Sequence, residues 1–240
     1  MLPFDINQFF MASAQEIPWK RLSAEVVAIV FGILLAFAID AWWQNRTDIG
    51  IETQYLHALR EDLIASLELL DEAEASQQLQ IEYLKSLLLT DGNTPDSDEA
   101  RLWLEDGLFE IGTYRPQLSS LSDLESSGQS RIIRDPAIRQ ALASVSQMLE
   151  LLAIGQSDFV ESQQSLIDPF LVEHLDLASV LRVSDANIKM DLSILGTKEF
   201  RSRVAFKLNL RDIVANTQQE IRTAFLDALA LIEMRLERID

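Results

Sequence analysis

The side chains that could bind a metal or carry acid–base chemistry are few, and their spacing fits neither task. The chain has two histidines, His57 and His174. His57 is followed by Arg60 and Glu61, and His174 directly follows Glu173. A metal site on a helix needs Glu-x-x-His or His-x-x-x-His spacing, which neither histidine has. We therefore expect both histidines to be solvated or to lie at the edge of a core.

Motifs for nucleophilic catalysis and phosphate binding are missing as well. Serine is plentiful, but no serine stands in a Gly-x-Ser-x-Gly elbow, and no glycine-rich loop could cradle a phosphate. The sequence contains no cysteine, which excludes disulfides, thiolate metal sites and a cysteine nucleophile. We expect neither enzymatic activity nor a bound cofactor.

The charge of the chain is strongly acidic and unevenly distributed. A formal net charge of −18 argues against general nucleic-acid binding, which needs Lys and Arg against phosphate. Acids outnumber bases about four to one over residues 46–110. The basic residues at the start of the last predicted helix are Lys198, Arg201, Arg203, Lys207 and Arg211. The interpretation we favour is solvated helix faces with salt bridges inside a bundle. The alternative is a basic end that faces anionic headgroups or a partner's acids, and the headgroup version requires the last helix to run away from the membrane.

The elements that position these residues start with an apolar run over 22–43. No polar side chain interrupts residues 26–39, and about 20 apolar residues cross a bilayer as a helix. The run reaches that length if Glu25 and Asp40 lie near the two interfaces. Residues suited to the interfaces themselves are Trp19, Lys20, Arg21, Trp42, Trp43 and Arg46. A signal peptide would have a shorter apolar region and a small-residue cleavage site, and a core helix would lack these flanks, so we predict a transmembrane helix.

The basic residues around this helix indicate its orientation. Lys20 and Arg21 precede the span, whereas Arg46 is the one basic residue soon after it. The positive-inside rule then places the N-terminus in the cytoplasm and the C-terminal part in the periplasm. We predict a single-pass protein of a bacterial inner membrane.

A helical pattern continues through the rest of the chain. Apolar residues at three- and four-residue steps predict one helix from the membrane to about Thr90. Shorter helices are expected over 98–108 and 117–127. Asp135 with Pro136 predicts the start of a long helix that ends at Asp168-Pro169. Its apolar face comprises Ile138, Leu142, Val145, Leu149, Leu152, Phe159 and Leu166.

A last long helix is predicted over 198–239, after short helical pieces over 170–196. Its apolar face comprises Val204, Leu208, Ile213, Ile221, Phe225, Leu229, Ile232 and Leu236. The sequence has no strand pattern, so the predicted fold class is all-α, an N-terminal transmembrane helix that continues into a bundle of long helices outside the membrane. The predicted segments are a tail or interfacial amphipathic helix over 1–18, the transmembrane helix over 19–46, and the helical bundle over 47–240.

The membrane helix carries a stripe of small residues. Ala24, Ala28, Gly32, Ala36 and Asp40 recur every four residues, which places them on one slowly drifting face. Small residues let helices approach closely, and polar groups can join across the contact. Glu25 belongs to the same face, and acids inside a membrane usually face a bundle interior or water. The stripe therefore predicts a self-association surface, with Glu25 and Asp40 at the two mouths of a central path or, alternatively, in the headgroup zone.

The same span resembles a family signature. It contains Glu25, then Gly-Ile-Leu at 32–34 and Ala36, followed by Ile-Asp at 39–40, Trp42 and Arg46. These residues are similar to those of a family of uncharacterised bacterial single-pass inner-membrane proteins, whose anchors read Gly-Ile-Leu-x-Ala and Ile-Asn/Asp-x-Trp before an Arg-containing exit.

A second stretch of the chain resembles the same family. Leu-Glu-Ser-Ser-Gly at 124–128, Ile-Ile at 132–133, Asp135 and Leu142 are similar to a family segment in which a short helix ends in Ser-Gly before the next helix begins. Ala38 stands where the family resemblance predicts a polar residue such as Gln. This difference argues against a column of polar side chains that crosses the membrane. The resemblance implies a membrane anchor and no established activity.

Three functions follow from these patterns. The first is a structural or scaffold protein, a homo-oligomer in the lipid bilayer that is packed through its span. The second is an oligomeric channel or pore in which Glu25 faces the central path. The third is a membrane sensor that acts through a partner, because only about twenty residues precede the span.

Overall fold

The computed structural model describes residues 19–90, 97–181 and 191–239 of the chain. Every element in these ranges is helical and none is a strand, which confirms the predicted all-α fold. The expected interfacial helix or tail over residues 1–18 lies outside the described residues. The chain divides into two compact units, Met1–Gly50 and Ile51–Asp240.

The first helix, α1, spans Trp19–Leu89 and is 71 residues long. It confirms the predicted helix to within one residue of Thr90, and Gly50 does not interrupt it, as expected for a lone glycine inside a helix. One helix of the described chain is long and apolar enough to cross a membrane, and none of its most apolar 18-residue window is buried inside the chain.

The second unit contains the remaining helices. They are α2 (Ser97–Leu102), α3 (Ser119–Ser126), α4 (Pro136–Ser162), α5 (Asp168–His174), α6 (Leu177–Val180) and α7 (Lys198–Ile239). The first π-helix, Trp103–Phe109, directly follows α2, and the second π-helix, Gln163–Ile167, directly follows α4. Short 3₁₀ turns cover Ser130–Ile132 and Ser193–Gly196. The helices α1 and α7 and the start of α4 confirm the predicted ones. The described parts of 170–196 form short helical pieces, as expected, and residues 182–190 lie outside the described residues.

The starts of α4 and α7 have the capping residues that the sequence indicates. Asp135 accepts a hydrogen bond from the Ala137 N–H at 2.9 Å, and Pro136 occupies the first turn of α4. The hydroxyl of Thr197 accepts from the Phe200 N–H at 3.3 Å at the start of α7. Side-chain oxygens thus satisfy N–H groups that have no partner inside the helix.

The predicted end of α4 at Asp168-Pro169 is wrong. The helical chain continues through the π-helix Gln163–Ile167 directly into α5. Pro169 lies in the first turn of α5, where its missing N–H removes no hydrogen bond of that helix. The wider turn also shifts the apolar face by one residue. Leu166, which was expected in the core, is 49% exposed, whereas its neighbour Ile167 is 1% exposed.

The part of α1 after Gly50 packs antiparallel to α7. Arg60 pairs with Glu233 at 3.1 Å near one end, and Arg222 pairs with Glu74 at 2.9 Å nearer the other. The helix α4 is also antiparallel to α7, because Gln163 near its end contacts Lys207 near the start of α7. Three long helices therefore form the frame of the bundle.

Two apolar clusters fill the bundle. The larger one joins α1, α3, α4 and α7 around residues such as Leu63, Val145 and Phe225, each 0% exposed. The smaller one joins the end of α1, the first π-helix, α5 and the start of α7 around residues such as Leu84 and Leu104.

The basic start of α7 lies at the far end of the α1 segment in the second unit. Leu88 lines one surface recess together with Lys198 and Arg201, whereas Arg235 near the end of α7 contacts Glu52. The last helix thus runs from the neighbourhood of Leu88 to that of Glu52 within the second unit.

Candidate functional site

The predicted self-association stripe lies along the first part of α1, and its described side chains are not covered by other described residues. Ala28, Gly32, Ala36 and Asp40 are all exposed, and so is Glu25. A Cβ placed on Gly32 would meet no atom within 4 Å. The side chain of Ala24 lies outside the described residues, as do those of Trp19, Lys20 and Arg21. The described face is thus free to meet lipid or another helix.

The aromatic end of the span has its own side-chain contacts. Trp42 and Trp43 are 57% and 66% exposed, and their ring centroids are 6.4 Å apart. The guanidinium carbon of Arg46 lies 5.8 Å from the centroid of the Trp42 ring. Such an arrangement of aromatic rings and a cation suits an interface between hydrocarbon and water.

The two histidines lie in separate elements. His57 is exposed on α1, and His174 ends α5 with its Nδ1 2.9 Å from the Phe170 carbonyl oxygen. The imidazole also stacks on the Phe170 ring at a centroid distance of 4.4 Å. Within residues 19–90, 97–181 and 191–239, no group of three or more His, Cys, Asp or Glu side chains could hold a metal ion.

The most developed polar site of the bundle surrounds Lys207. This side chain is 0% exposed, and its ammonium donates hydrogen bonds to the Leu108 carbonyl (2.5 Å), the Glu110 carbonyl (2.9 Å) and Gln163 Oε1 (2.8 Å). The two carbonyls lie at the end of the first π-helix, where no following helical turn supplies N–H donors. Lys207 on α7 therefore caps this helix end from another part of the chain.

Two glutamines complete the same site, which we call the Lys207 cluster. Gln80 on α1 donates from Nε2 to the Gly107 carbonyl at 3.0 Å and to the Glu110 carbonyl at 2.7 Å. Gln163 donates from Nε2 to the Leu108 carbonyl at 3.1 Å. Side chains from α1, α7 and the second π-helix thus converge on one segment of backbone and hold it in the bundle.

Arg211 lies one helical turn after Lys207. Its Nη1 donates to the Gly112 carbonyl at 2.9 Å, and its guanidinium carbon lies 3.9 Å from the centroid of the Phe159 ring. Its backbone carbonyl accepts a hydrogen bond from Gln77 at 3.0 Å. The guanidinium therefore extends the Lys207 cluster along the backbone that follows the first π-helix.

The charge of Lys207 is unfavourable where it lies. Burial and, less strongly, the positive charge of Arg211 together lower the pKa of Lys207 to about 7, while Asp168 and Glu110 act in the opposite direction. Burial also lowers the pKa of Arg211 to about 10. A lysine with a lowered pKa can act as a base or nucleophile in an active site. Here the amine is fully buried, and its three hydrogen bonds to protein oxygens join α7 to the two π-helix segments.

A second buried charge lies at the start of the bundle. Glu52 is 0% exposed, its Oε1 accepts from the Arg134 N–H at 2.9 Å, and its Oε2 accepts from Arg235 Nη2 at 2.9 Å. One carboxylate thereby joins α1 to the chain before α4 and to the end of α7.

Sequence reasoning missed both buried sites because it followed apolar residues only. Lys207, Arg211 and Gln218 occupy buried positions of α7 in the same three- and four-residue steps as Val204, Val214 and Ile221. Ile213, which was expected in the core, is 49% exposed beside the buried Val214. The available signal was the continuous spacing, which the polar residues extend rather than interrupt.

No protein-family model matches the chain, and no curated protein or solved structure matches it at a significant level. The family resemblance therefore rests on the residues of the span and of the 124–142 stretch alone.

Proposed function

We propose that this chain is a non-enzymatic, single-pass inner-membrane protein that self-associates through its span and presents its helical bundle in the periplasm as a structural scaffold. The observation that carries the proposal is the uncovered apolar segment of α1, which continues without a break into the helix that frames the bundle.

Exposure of large apolar side chains supports the membrane assignment. Phe31 and Phe37 are each 67% exposed and Leu34 is 61% exposed. A contiguous apolar surface of this kind is rare on a soluble monomer and marks a surface that lipid or protein covers. Trp42, Trp43 and Arg46 follow the segment, as an interfacial belt would.

The small-residue stripe supports self-association. Ala28, Gly32 and Ala36 leave a smooth strip on the uncovered helix, and close backbone approach is the main source of helix association in lipid. Glu25 and Asp40 lie on the same face near its two ends, where a helix contact would shield acids from hydrocarbon.

The buried charges of the bundle support a scaffold role. Lys207 and Glu52 are both 0% exposed, and the contacts described for each are with other groups of the bundle. Each charge joins three segments of the chain, so these groups specify the architecture of the bundle.

The proposal is tested by counting subunits of the full chain in lipid nanodiscs. We expect a defined oligomer that Gly32→Leu converts largely to monomer, because a larger side chain separates the helices. Ala38→Leu is the matched control, since it adds similar bulk about 120° around the helix from Gly32. A wild-type chain that is monomeric, or an oligomer that both variants leave intact, would contradict the proposal.

Orientation needs its own experiment. In spheroplasts treated with external protease, we expect the bundle to be degraded and the segment before the span to be protected, as the distribution of Lys20, Arg21 and Arg46 indicates. Protection of the bundle would place it in the cytoplasm and overturn the periplasmic assignment.

A further inference from the structure

The long helices α4 and α7 leave an open groove on the surface of the bundle, with a volume of about 540 Å³. Most of its lining side chains are small, namely Ala137, Ala141, Ser144, Ala224 and Ala230, and Gln140 and Leu231 also line it. Met234 borders it and is 44% exposed. Small residues along two antiparallel helices leave room for the side chains of a third helix laid against them.

The groove faces of both helices continue beyond this lining. On α4, Leu151 lies seven residues after Ser144 and is 46% exposed. On α7, Ile213 lies eleven residues before Ala224 and is 49% exposed. Steps of seven and eleven residues return to nearly the same face of a helix. The α4 side of the groove from Ala137 to Leu151, which includes the polar Gln140 and Ser144, is therefore about 20 Å long and matches roughly four turns of a docked helix.

The charges along this face are acidic. Asp227 lines the groove, and Glu220 lies seven residues earlier on the same face of α7. Asp158 continues the α4 side seven residues after Leu151. All three acids are exposed, so they would flank an occupant and favour positive charge at its edges.

Basic side chains of the same helix segments are engaged elsewhere. Over 137–158 and 213–234 the basic residues are Arg139 and Arg222. Arg139 donates to the Ile133 and Arg134 carbonyls. Arg222 pairs with Asp71 and Glu74 on α1. Neither guanidinium is therefore available to neutralise the acids of the groove.

We propose that the α4–α7 groove is a docking site for an amphipathic helix of a partner protein, with a small apolar face and Lys or Arg along both edges. A second copy of this chain fits less well, because a symmetric contact through the groove would bring the same acids against each other. This inference concerns the bundle alone and does not depend on self-association of the span.

The test uses the full chain in nanodiscs and two synthetic helical peptides with the same Leu/Ala face. One peptide carries Lys along both edges and the other carries Glu. We expect the Lys peptide to bind at least about tenfold more tightly. Asp227→Lys and Ala230→Trp should each weaken that binding by about tenfold or more, since one reverses the groove charge and the other fills the groove.

Matched controls separate the groove from the general acidity of the chain. Glu61→Lys makes the same charge change at an exposed position of α1, and Ala153→Trp adds the same bulk at an exposed position on the other side of α4. Both should leave peptide binding within about twofold of the wild type. Equal binding of the two peptides, no binding of the Lys peptide, or equal losses in the control variants would overturn the proposal.

One further outcome would identify a different occupant. If the Gly32→Leu chain still self-associates and Ala230→Trp abolishes that association, a second copy occupies the groove and the assignment to a basic partner is wrong. Loss of span association with retained binding of the Lys peptide would leave the groove proposal standing.

Discussion

Lys207 and Gln163 form a buried pair, in which the ammonium donates to the amide oxygen at 2.8 Å. The other end of the amide, Nε2, donates to Asp168 Oδ1 at 2.6 Å. These two contacts fix the orientation of the amide, with its oxygen toward the cation and its nitrogen toward the carboxylate. The amide thus links a cation and an anion that share no direct hydrogen bond, and it ties α7 to the second π-helix.

Lys207 should make the stability of the bundle depend on pH. Its native pKa of about 7 lies below the ordinary value of 10.5, so between these values the unfolded state binds more protons than the native state. Relative to Lys207→Met, the free energy of unfolding of the wild type should therefore be constant below about pH 7 and rise above it. For one proton the rise is at most about 1.4 kcal/mol per pH unit.

Urea unfolding of both chains, followed by tryptophan fluorescence from about pH 6 to about pH 10, measures this difference. Subtracting the Met variant removes the contribution of the groups that the two chains share. Parallel stability curves would show that Lys207 keeps its proton throughout this range.

Glu52→Gln should destabilise the bundle strongly. The carboxylate accepts from both the Arg134 N–H and Arg235, whereas an amide must turn its NH₂ toward one of these donors and carries no charge to compensate the partly buried Arg235. We expect a loss of about 2–4 kcal/mol in the free energy of unfolding. The matched control is Glu233→Gln at the half-exposed pair with Arg60, which should lose no more than about 1 kcal/mol. Equal losses in thermal or urea unfolding would contradict a special role for Glu52.

Gly107→Ala should weaken the contact between the first π-helix and α1. A Cβ at this position would lie 2.9 Å from the Tyr83 Cβ and 3.5 Å from the Leu84 backbone nitrogen, which are rigidly attached to α1. We expect a loss of about 1–3 kcal/mol from overpacking. Gly155→Ala is the control, because its nearest contact would be an ordinary 3.8 Å to Val214 Cγ2, and the helix preference of alanine should make it neutral or stabilising.

Substitutions at two neighbouring residues test the one-residue shift of the apolar face after α4. Ile167→Ala should cost about 2–4 kcal/mol, because a side chain with 1% exposure leaves a cavity. Leu166→Ala should cost less than about 1 kcal/mol, since Leu166 is 49% exposed. A regular α-helix through this segment would reverse the order of the two losses, and differential scanning calorimetry of the two variants distinguishes the cases.

The sequence predicted the starts of α4 and α7 well because both are encoded locally. Asp135 with Pro136, and Thr197 before Lys198, are short-range signals that act through hydrogen bonds of the first helical turn. The second π-helix could not be predicted from such short-range signals. It depends on Gln163 bonding to Leu108 and Lys207, residues 55 and 44 positions away in the chain.

The candidate sites were predicted unevenly for a related reason. The stripe around Gly32 is a property of one helix, so spacing alone locates it. The groove between α4 and α7 and the Lys207 cluster require knowledge of which helices are neighbours. A pattern search that treats Lys207 and Arg211 as surface residues therefore misses the buried positions that they occupy.

The antiparallel pairing of α1 with α7 also bears on how the chain is made. Arg60 meets Glu233 and Arg222 meets Glu74 across separations of 173 and 148 residues. While a ribosome synthesises the intervening residues, the apolar face of α1 around Leu63 cannot yet pack against α7. Closure of the bundle around α1 therefore requires that α7 has been synthesised, and contacts this distant in sequence make it slow compared with helix formation itself. During that interval the nascent chain exposes a surface on which a chaperone could act.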